Sequence, residues 1–177
     1  MTVDALRRGS VDVLDVLLDE YGRELQRVAF LILHDVSAAE DVVADTLITA
    51  LEQGASLRDA GTLRPWLLRI AANHALQHRR RRVRIVQLDL LPESADVRDR
   101  TDAAADRAAL WEGVAALPPR TRAAIVLHYY ADLPVDDVAA ALGVSVNTVK
   151  TQLRTGLQHL RSALADAPTT LPEVRHA

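Results

Sequence analysis

The 177-residue chain contains no cysteine, and its aromatic side chains come to only 3%. Without thiols there is no disulfide framework, no thiolate zinc site and no cysteine nucleophile, and nothing argues for an oxidising compartment. Scarce aromatics and few alternating β-branched runs count against a sheet, whereas abundant Ala, Leu, Arg and Asp favour helix. Long apolar runs are missing too. Acids interrupt the apolar positions of the opening stretch MTVDALRRGSVDVLDVLLDEYG, which reads as neither a secretory signal nor a membrane span. There is no Gly-rich phosphate cradle, no Gly-x-Ser-x-Gly elbow and no convergent acid pair, so no enzyme and no cofactor are expected. The expectation is an all-α, cytoplasmic protein: two small helical domains joined by a flexible linker, with no membrane insertion of its own.

What is present centres on Ser145 to Leu164 and the short helix-turn before it, PVDDVAAALGV. Val146, Val149, Leu153, Leu157, Leu160 and Leu164 recur at three- and four-residue intervals, one side of an amphipathic helix. On the opposite side Asn147, Thr148, Thr151, Arg154 and Thr155 cluster in the first three turns. Ser145 stands at the N-cap, and Ala139 and Gly143 supply a close approach and a left-handed turn, the pattern of a helix-turn-helix. An αα-hairpin with a solvated face would be richer in Glu and Lys. Short donors and acceptors with Lys150 and Arg154 suit base edges and phosphates, so Asn147 to Arg154 reads as a DNA-reading surface.

The net charge of −3 becomes informative when it is split along the chain. Asp35 to Glu52 holds five acids and no base; Arg64 to Arg84 holds seven arginines and no acid. Such blocks suggest one basic or neutral partner and one polyanionic partner. A first helix is expected from about Val11 to Leu33, and a second carries AAEDVVADTLITAL after the break Asp35-Val36-Ser37. Ala39, Val43, Leu47, Ala50 and Leu51 form its buried side; Asp41, Ala44, Asp45, Ile48 and Glu52 form an exposed stripe. Acids flanking an exposed Ile fit a docking surface for a basic helix, and equally a solvated acidic face. After the loop Gly54 to Thr62, a third helix from about Leu63 to Arg82 separates core residues Leu63, Trp66, Leu67, Ile70 and Ala71 from a stripe of Arg69, Asn73, Leu76 and Arg80. Its arginine-rich end suits a phosphate track. His74 and His78 have the spacing of a helical metal pair, but no third ligand stands at a ligating offset, so partly buried histidines and no metal are expected. Arg84 to Asp102 loses periodicity and reads as a linker. Helices are then expected from Ala103 to Leu117 and, after Pro118-Pro119, across RTRAAIVLHYYADL. The expected domains are residues 1–83, a linker 84–102, a helix-turn-helix domain 103–166 and a flexible tail 167–177.

Taken in order, AEDVV, LRPWLLRIAANHA, the Arg-rich helix end and ALPPRTRAAIVLHYYADLPVDDVAAALGVSVNTVK resemble a bacterial RNA polymerase sigma factor of the extracytoplasmic-function group of the sigma-70 family. The resemblance runs from Leu17 to Leu164. It implies a first domain that docks on the clamp helices of the largest subunit of core RNA polymerase through Asp41, Ala44, Asp45, Ile48 and Glu52. The same domain would recognise and melt the minus-ten promoter element with Arg58, Arg64, Arg69, Asn73, Arg80 and Arg81. The second domain would read the minus-thirty-five element with Ser145, Asn147, Thr148, Lys150, Thr151 and Arg154. Base capture by the Gly54 to Thr62 loop and Asn73 must offset a flipping cost of a few kcal/mol. The resemblance also implies an anti-sigma factor as partner, closing the two domains of an otherwise extended chain. Ala44, Leu47, Thr49, Leu51, Gln152 and Gly156 depart from the pattern, where Gln, Phe, Arg, Trp, Arg and Ala are usual, and His74 and His78 replace apolar residues. Two rival readings use the same residues: a helix-turn-helix transcription activator, and a sigma-like interaction protein without promoter activity.

Overall fold

The computed structural model describes residues 2–57, 59–86 and 102–165 and is built of helices in two regions. The first region comprises α1 (Thr2–Arg7), α2 (Val13–Leu33), α3 (Val36–Gln53) and α4 (Leu63–Val86), with single 3-10 turns at Gly54–Ser56 and Ala60–Thr62. The second comprises α5 (Asp102–Ala116), α6 (Pro119–Ile125), α7 (Val135–Leu142) and α8 (Val146–Ala165). No strand occurs among the described residues.

Helix α2 is the spine of the first region. Leu17, Leu25, Val28, Ala29 and Ile32 follow the helical period and are fully buried against α3 and α4. Burial of each large side chain stabilises by about 1.5–3 kcal/mol. Leu18, next to Leu17 on the same helix, points outward and is exposed. His34 ends α2 in the left-handed region, φ 57°, and Asp35 at once N-caps α3 by accepting a hydrogen bond from the Ala38 amide at 3.0 Å. The α2–α3 corner is therefore sharp. Helix α1, six residues long, is too short to show a period in the sequence. It is held by burial of Val3 and Leu6 and by Arg7 Nε donating to the Leu57 carbonyl at 2.7 Å.

In the second region the run after Pro119 is α-helical only to Ile125. The Ala131 amide then donates to the Val126 carbonyl five residues back, a π turn across Val126–Tyr130, and Asp132 at φ 55° breaks the chain before Pro134. Helix α7 ends at Gly143 with φ 62°, the left-handed turn expected there, and α8 follows. At Gly156, α8 crosses α6 so closely that a Cβ would meet Ile125 Cγ1 at 2.8 Å and Thr121 Cγ2 at 3.1 Å. That close approach accounts for the departure noted at this position.

The two regions share one apolar core. Helix α4 packs along α7, and α2 meets the π turn and parts of α5 and α6. The expectation of an extended chain that becomes compact only around a partner therefore meets a different arrangement, in which the regions contact each other directly. The reason is a polar and aromatic seam invisible to periodicity, described below. Of the expected linker, residues 84–86 continue α4; residues 87–101, Arg58 and the tail from residue 166 lie outside the described residues.

Candidate functional site

The acidic stripe on α3 is built as the wheel requires. Asp41, Ala44, Asp45, Ile48 and Glu52 are all exposed, and Ile48 is 53% exposed, a single apolar group between carboxylates. Behind it Ala39, Val42, Val43, Leu47 and Ala50 anchor the helix, and the buried Thr46 hydroxyl is satisfied by donating to the Val42 carbonyl at 2.6 Å. Leu51, placed on the buried side, is only half-buried.

On α4, Arg69, Arg80 and Arg81 are exposed and Asn73 is half-buried, while Leu63, Trp66, Leu67, Ile70 and Ala71 are in the core. Arg64 departs from this open face. Its guanidinium pairs with Glu24, Nη2 to Oε1 at 2.5 Å and Nε to Oε2 at 3.1 Å, and Nη2 also donates to the Ala131 carbonyl at 2.7 Å. In this arrangement Arg64 of α4, its side chain still 39% exposed, ties α2 and α4 to the second region. The two α4 histidines are half-buried and turned to α3: His74 Nε2 lies 2.9 Å from the Thr49 hydroxyl, and His78 Nε2 lies 4.0 Å from an Asp41 carboxylate oxygen. Helices α3 and α4 are thus joined by polar pairs across their interface.

The N-terminal half of α8 presents Ser145, Asn147, Thr148, Lys150, Thr151 and Arg154 to solvent, with Val149, Leu153 and Leu160 buried on the other side. Ser145 Oγ accepts from the Thr148 amide at 3.1 Å and lies 2.8 Å from the Thr148 hydroxyl, so the cap fixes both side chains. Thr151 donates to the Asn147 carbonyl at 3.0 Å. Among the described residues Asn147, Lys150 and Arg154 have no side-chain hydrogen-bond partner, and they stand on a helix N-terminal half of the dimensions a major groove admits. Gln152 does not share this face: it is half-buried, with Oε1 shielded from solvent.

A group that sequence reading passed over is Arg122, 2% exposed on α6. Its guanidinium donates to the Ile32 carbonyl at 2.8 Å, to the Leu117 carbonyl at 3.1 Å, to the Ala115 carbonyl, and to His34 Nδ1 at 3.1 Å. Trp111 stacks on Phe30, ring centroids 5.1 Å apart, and meets the His34 ring at a tilt of 53°, centroids 4.2 Å apart. Burial, and then the neighbouring Arg79, lower the Arg122 guanidinium to about 10; burial, Arg122 and Arg79 lower the His34 imidazole to about 4. The available signal was an Arg standing directly before the apolar helical run AAIVL.

A sigma-70 region 2 family pattern matches residues 17–85, and a sigma-70 region 4 pattern matches residues 107–160. The ECF RNA polymerase sigma factor SigL of Mycobacterium tuberculosis is 32% identical over 164 residues, covering 89% of this chain and 92% of that protein. The ECF RNA polymerase sigma factor SigE of Mycolicibacterium smegmatis is 31% identical over 159 residues, 85% of this chain; the chain spans only 61% of that longer relative. Among solved structures, the sigma factor RpoE in complex with the anti-sigma factor NepR from Bartonella quintana has the same fold, with TM-score 0.74 at 24% identity over 89% of this chain and 100% of that one. CnrH in complex with the cytosolic domain of CnrY follows at TM-score 0.67 and 22% identity, over 93% and 96%. The chain belongs to the ECF RNA polymerase sigma factors of the sigma-70 family. Its function is that of the family, directing RNA polymerase to promoters for transcription initiation.

Proposed function

We propose a division of labour along this sigma factor: residues 1–83 dock on core polymerase and open the minus-ten element, and residues 103–166 read the minus-thirty-five element, with 84–102 as the linker and 167–177 as a tail. The observation that carries it is the sidedness of three helices. Asp41, Ala44, Asp45, Ile48 and Glu52 make an exposed acidic stripe with an apolar centre on α3, suited to the basic clamp helices of the largest subunit. Arg69, Asn73, Arg80 and Arg81 make a separate basic stripe on α4, suited to a single strand and its phosphates, with Arg58 beside them in sequence and Arg64 available once its tie to Glu24 opens. Asn147, Thr148 and Thr151 offer short donors and acceptors to base edges on α8, Lys150 and Arg154 reach for phosphate or guanine, and Ser145 caps the same end of the helix.

The protein acts in the cytoplasm as a non-enzymatic specificity subunit. Its regulator is an anti-sigma factor, as in the RpoE complex it resembles in fold, and the surface such a partner gains most by covering is Asp41, Asp45 and Ile48 together with the helix-turn-helix. Run-off transcription with purified core polymerase on a promoter library tests the whole reading. Promoter-specific transcripts that depend on the chain are expected; core binding without any transcript would leave only an interaction protein.

A further inference from the structure

Helix α1 packs on the start of the loop that leads into α4. Leu6, 1% exposed, lies over Gly54, where α3 ends: a Cβ on Gly54 would stand 2.6 Å from Leu6 Cγ and 2.7 Å from the Leu6 carbonyl oxygen. Gly54 has an ordinary helical φ of −57°, so glycine is required there by space and not by backbone conformation. One of the obstructing atoms is backbone, which cannot rotate away. Three residues on, Leu57 is buried, and its carbonyl accepts from Arg7 Nε at 2.7 Å, 50 positions away along the chain. Asp4, one turn back on α1, steadies Arg7 at 3.6 Å. Gly9, at φ 66°, then closes α1, its amide donating to the Leu6 carbonyl and the Ser10 amide to the Ala5 carbonyl, both at 3.0 Å.

The other arm of the loop holds itself. Asp59 Oδ1 accepts from the Gly61 amide at 3.1 Å, and the Asp59 carbonyl accepts from the Thr62 hydroxyl at 2.7 Å and the Thr62 amide at 3.2 Å. In the arm 54–57 the Leu57 amide donates to the Gly54 carbonyl at 3.1 Å and the Ser56 hydroxyl to the Gln53 carbonyl at 2.7 Å. These local bonds shape the turn without fixing its place. Place is supplied by α1: a donor for the Leu57 carbonyl, a buried leucine and a wall of backbone.

We propose that α1 is a strut for base capture, with Leu6 and Arg7 as positioning residues that fix the 54–57 arm and so sharpen selectivity at the minus-ten element without touching DNA. The proposal rests on the reading that the Gly54 to Thr62 loop receives the flipped base. A flipped base has given up pairing and stacking, so the receiving loop discriminates only as far as its groups stand in place before the base arrives. A loop that orders on arrival loses part of the interaction to its own conformational entropy, and it can adapt to a wrong base. Helix α1 lies ahead of residue 17, where the region 2 match begins, so a helix outside the matched stretch sets a loop inside it.

Two measurements on the full chain test the strut. Hydrogen exchange without polymerase or DNA reads the loop: Arg7→Ala is expected to speed exchange of the 54–62 amides at least tenfold, with α3 and α4 unchanged. Run-off transcription with core polymerase reads selectivity, on a library of minus-ten sequences behind one constant minus-thirty-five element. Arg7→Ala and Leu6→Ala are each expected to reduce the preference for the best minus-ten sequence over its single-base variants at least fivefold, with capture of core polymerase unchanged. Arg7→Lys, which can still donate to the Leu57 carbonyl, is expected to retain most of that preference. Val28→Ala opens a cavity in buried α2, outside α1 and the loop, and is expected to leave the preference at the wild-type level. An equal loss in Val28→Ala would make α1 a general stabiliser and overturn the proposal, as would wild-type exchange in Arg7→Ala or wild-type preference in both α1 variants. Asp59→Ala, inside the loop, tells the two failures apart. A preference changed by Asp59→Ala but not by the α1 variants removes the strut and leaves the capture loop standing; a preference untouched by all three removes the loop from base reading, and the strut with it.

Discussion

The Thr49 hydroxyl on α3 lies 2.9 Å from Nε2 of His74 on α4, and both residues are departures from the family's usual pattern at their positions. Each supplies the partner the other needs at a half-buried helix interface, so they act as one polar substitution rather than two defects. Thr49→Val or His74→Leu alone is expected to cost about 1–2 kcal/mol by leaving an unpaired polar group, and the double variant less than the sum. A double-mutant cycle from urea midpoints checks this; strict additivity would mean the pair contributes nothing.

Gly156→Ala sets two effects against each other. Helix propensity favours Ala by about 1 kcal/mol, but the new Cβ would stand 2.8 Å from Ile125 Cγ1 in a filled interface, where overpacking costs typically 1–3 kcal/mol. The overlap wins, so the thermal midpoint is expected to fall. Gly156→Ala combined with Ile125→Val, which removes the methyl on the longer branch, should recover part of the loss.

Charge reversal of the α3 stripe should separate docking from DNA reading. Asp41→Arg or Asp45→Arg is expected to abolish capture of core polymerase while leaving affinity for a minus-thirty-five duplex unchanged, since both carboxylates are exposed and far along the chain from α8. Unaltered pull-down of core by both variants would remove the stripe from the mechanism. Asp41 also sits 4.0 Å from His78, so Asp45→Arg is the cleaner of the two.

Arg154→Ala is expected to change which minus-thirty-five sequences are used, at about 1–3 kcal/mol for a lost bidentate base contact. Neutralising Arg80 and Arg81 should weaken binding to every promoter and reduce the salt slope by roughly 0.7–0.9 per charge removed, because phosphate contacts release counterions whatever the sequence. Selection profiles and salt titrations distinguish them. An Arg154→Ala profile identical to wild type would move base reading elsewhere on α8.

Acid should loosen the seam between the regions. Burial first, then Arg122 on α6 and Arg79 on α4, hold the His34 imidazole at about 4 against the usual 6.5, with the Trp111 backbone opposing them weakly. Below 6.5 the unfolded chain takes up a proton that the closed chain refuses until about 4, so the unfolded state binds more protons across that window. Stability from neutral His34 is therefore full above pH 6.5 and declines as pH falls toward 4. Urea midpoints measured across this range should drop, and His34→Asn, which tolerates the left-handed backbone, should flatten that part of the profile.

The helices, the faces of α3, α4 and α8, and the helix-turn-helix were legible in the sequence because each depends on period. A residue's neighbours three and four positions away decide whether it points inward, and Ser145, Gly143 and the exposed Asn147, Lys150 and Arg154 follow from that local rule. The His74 and His78 pair was placed as half-buried for the same reason. Period says nothing about which surfaces of two regions meet. The seam between them is made of single side chains on separate helices: Arg122 on carbonyls that belong to α2 and α5, Trp111 on Phe30 and His34, Arg64 on Glu24 and Ala131. Carbonyl groups leave no mark in a sequence, so a buried arginine whose partners are backbone looks there like one more basic residue, and only the tertiary structure brings the two helix ends to it.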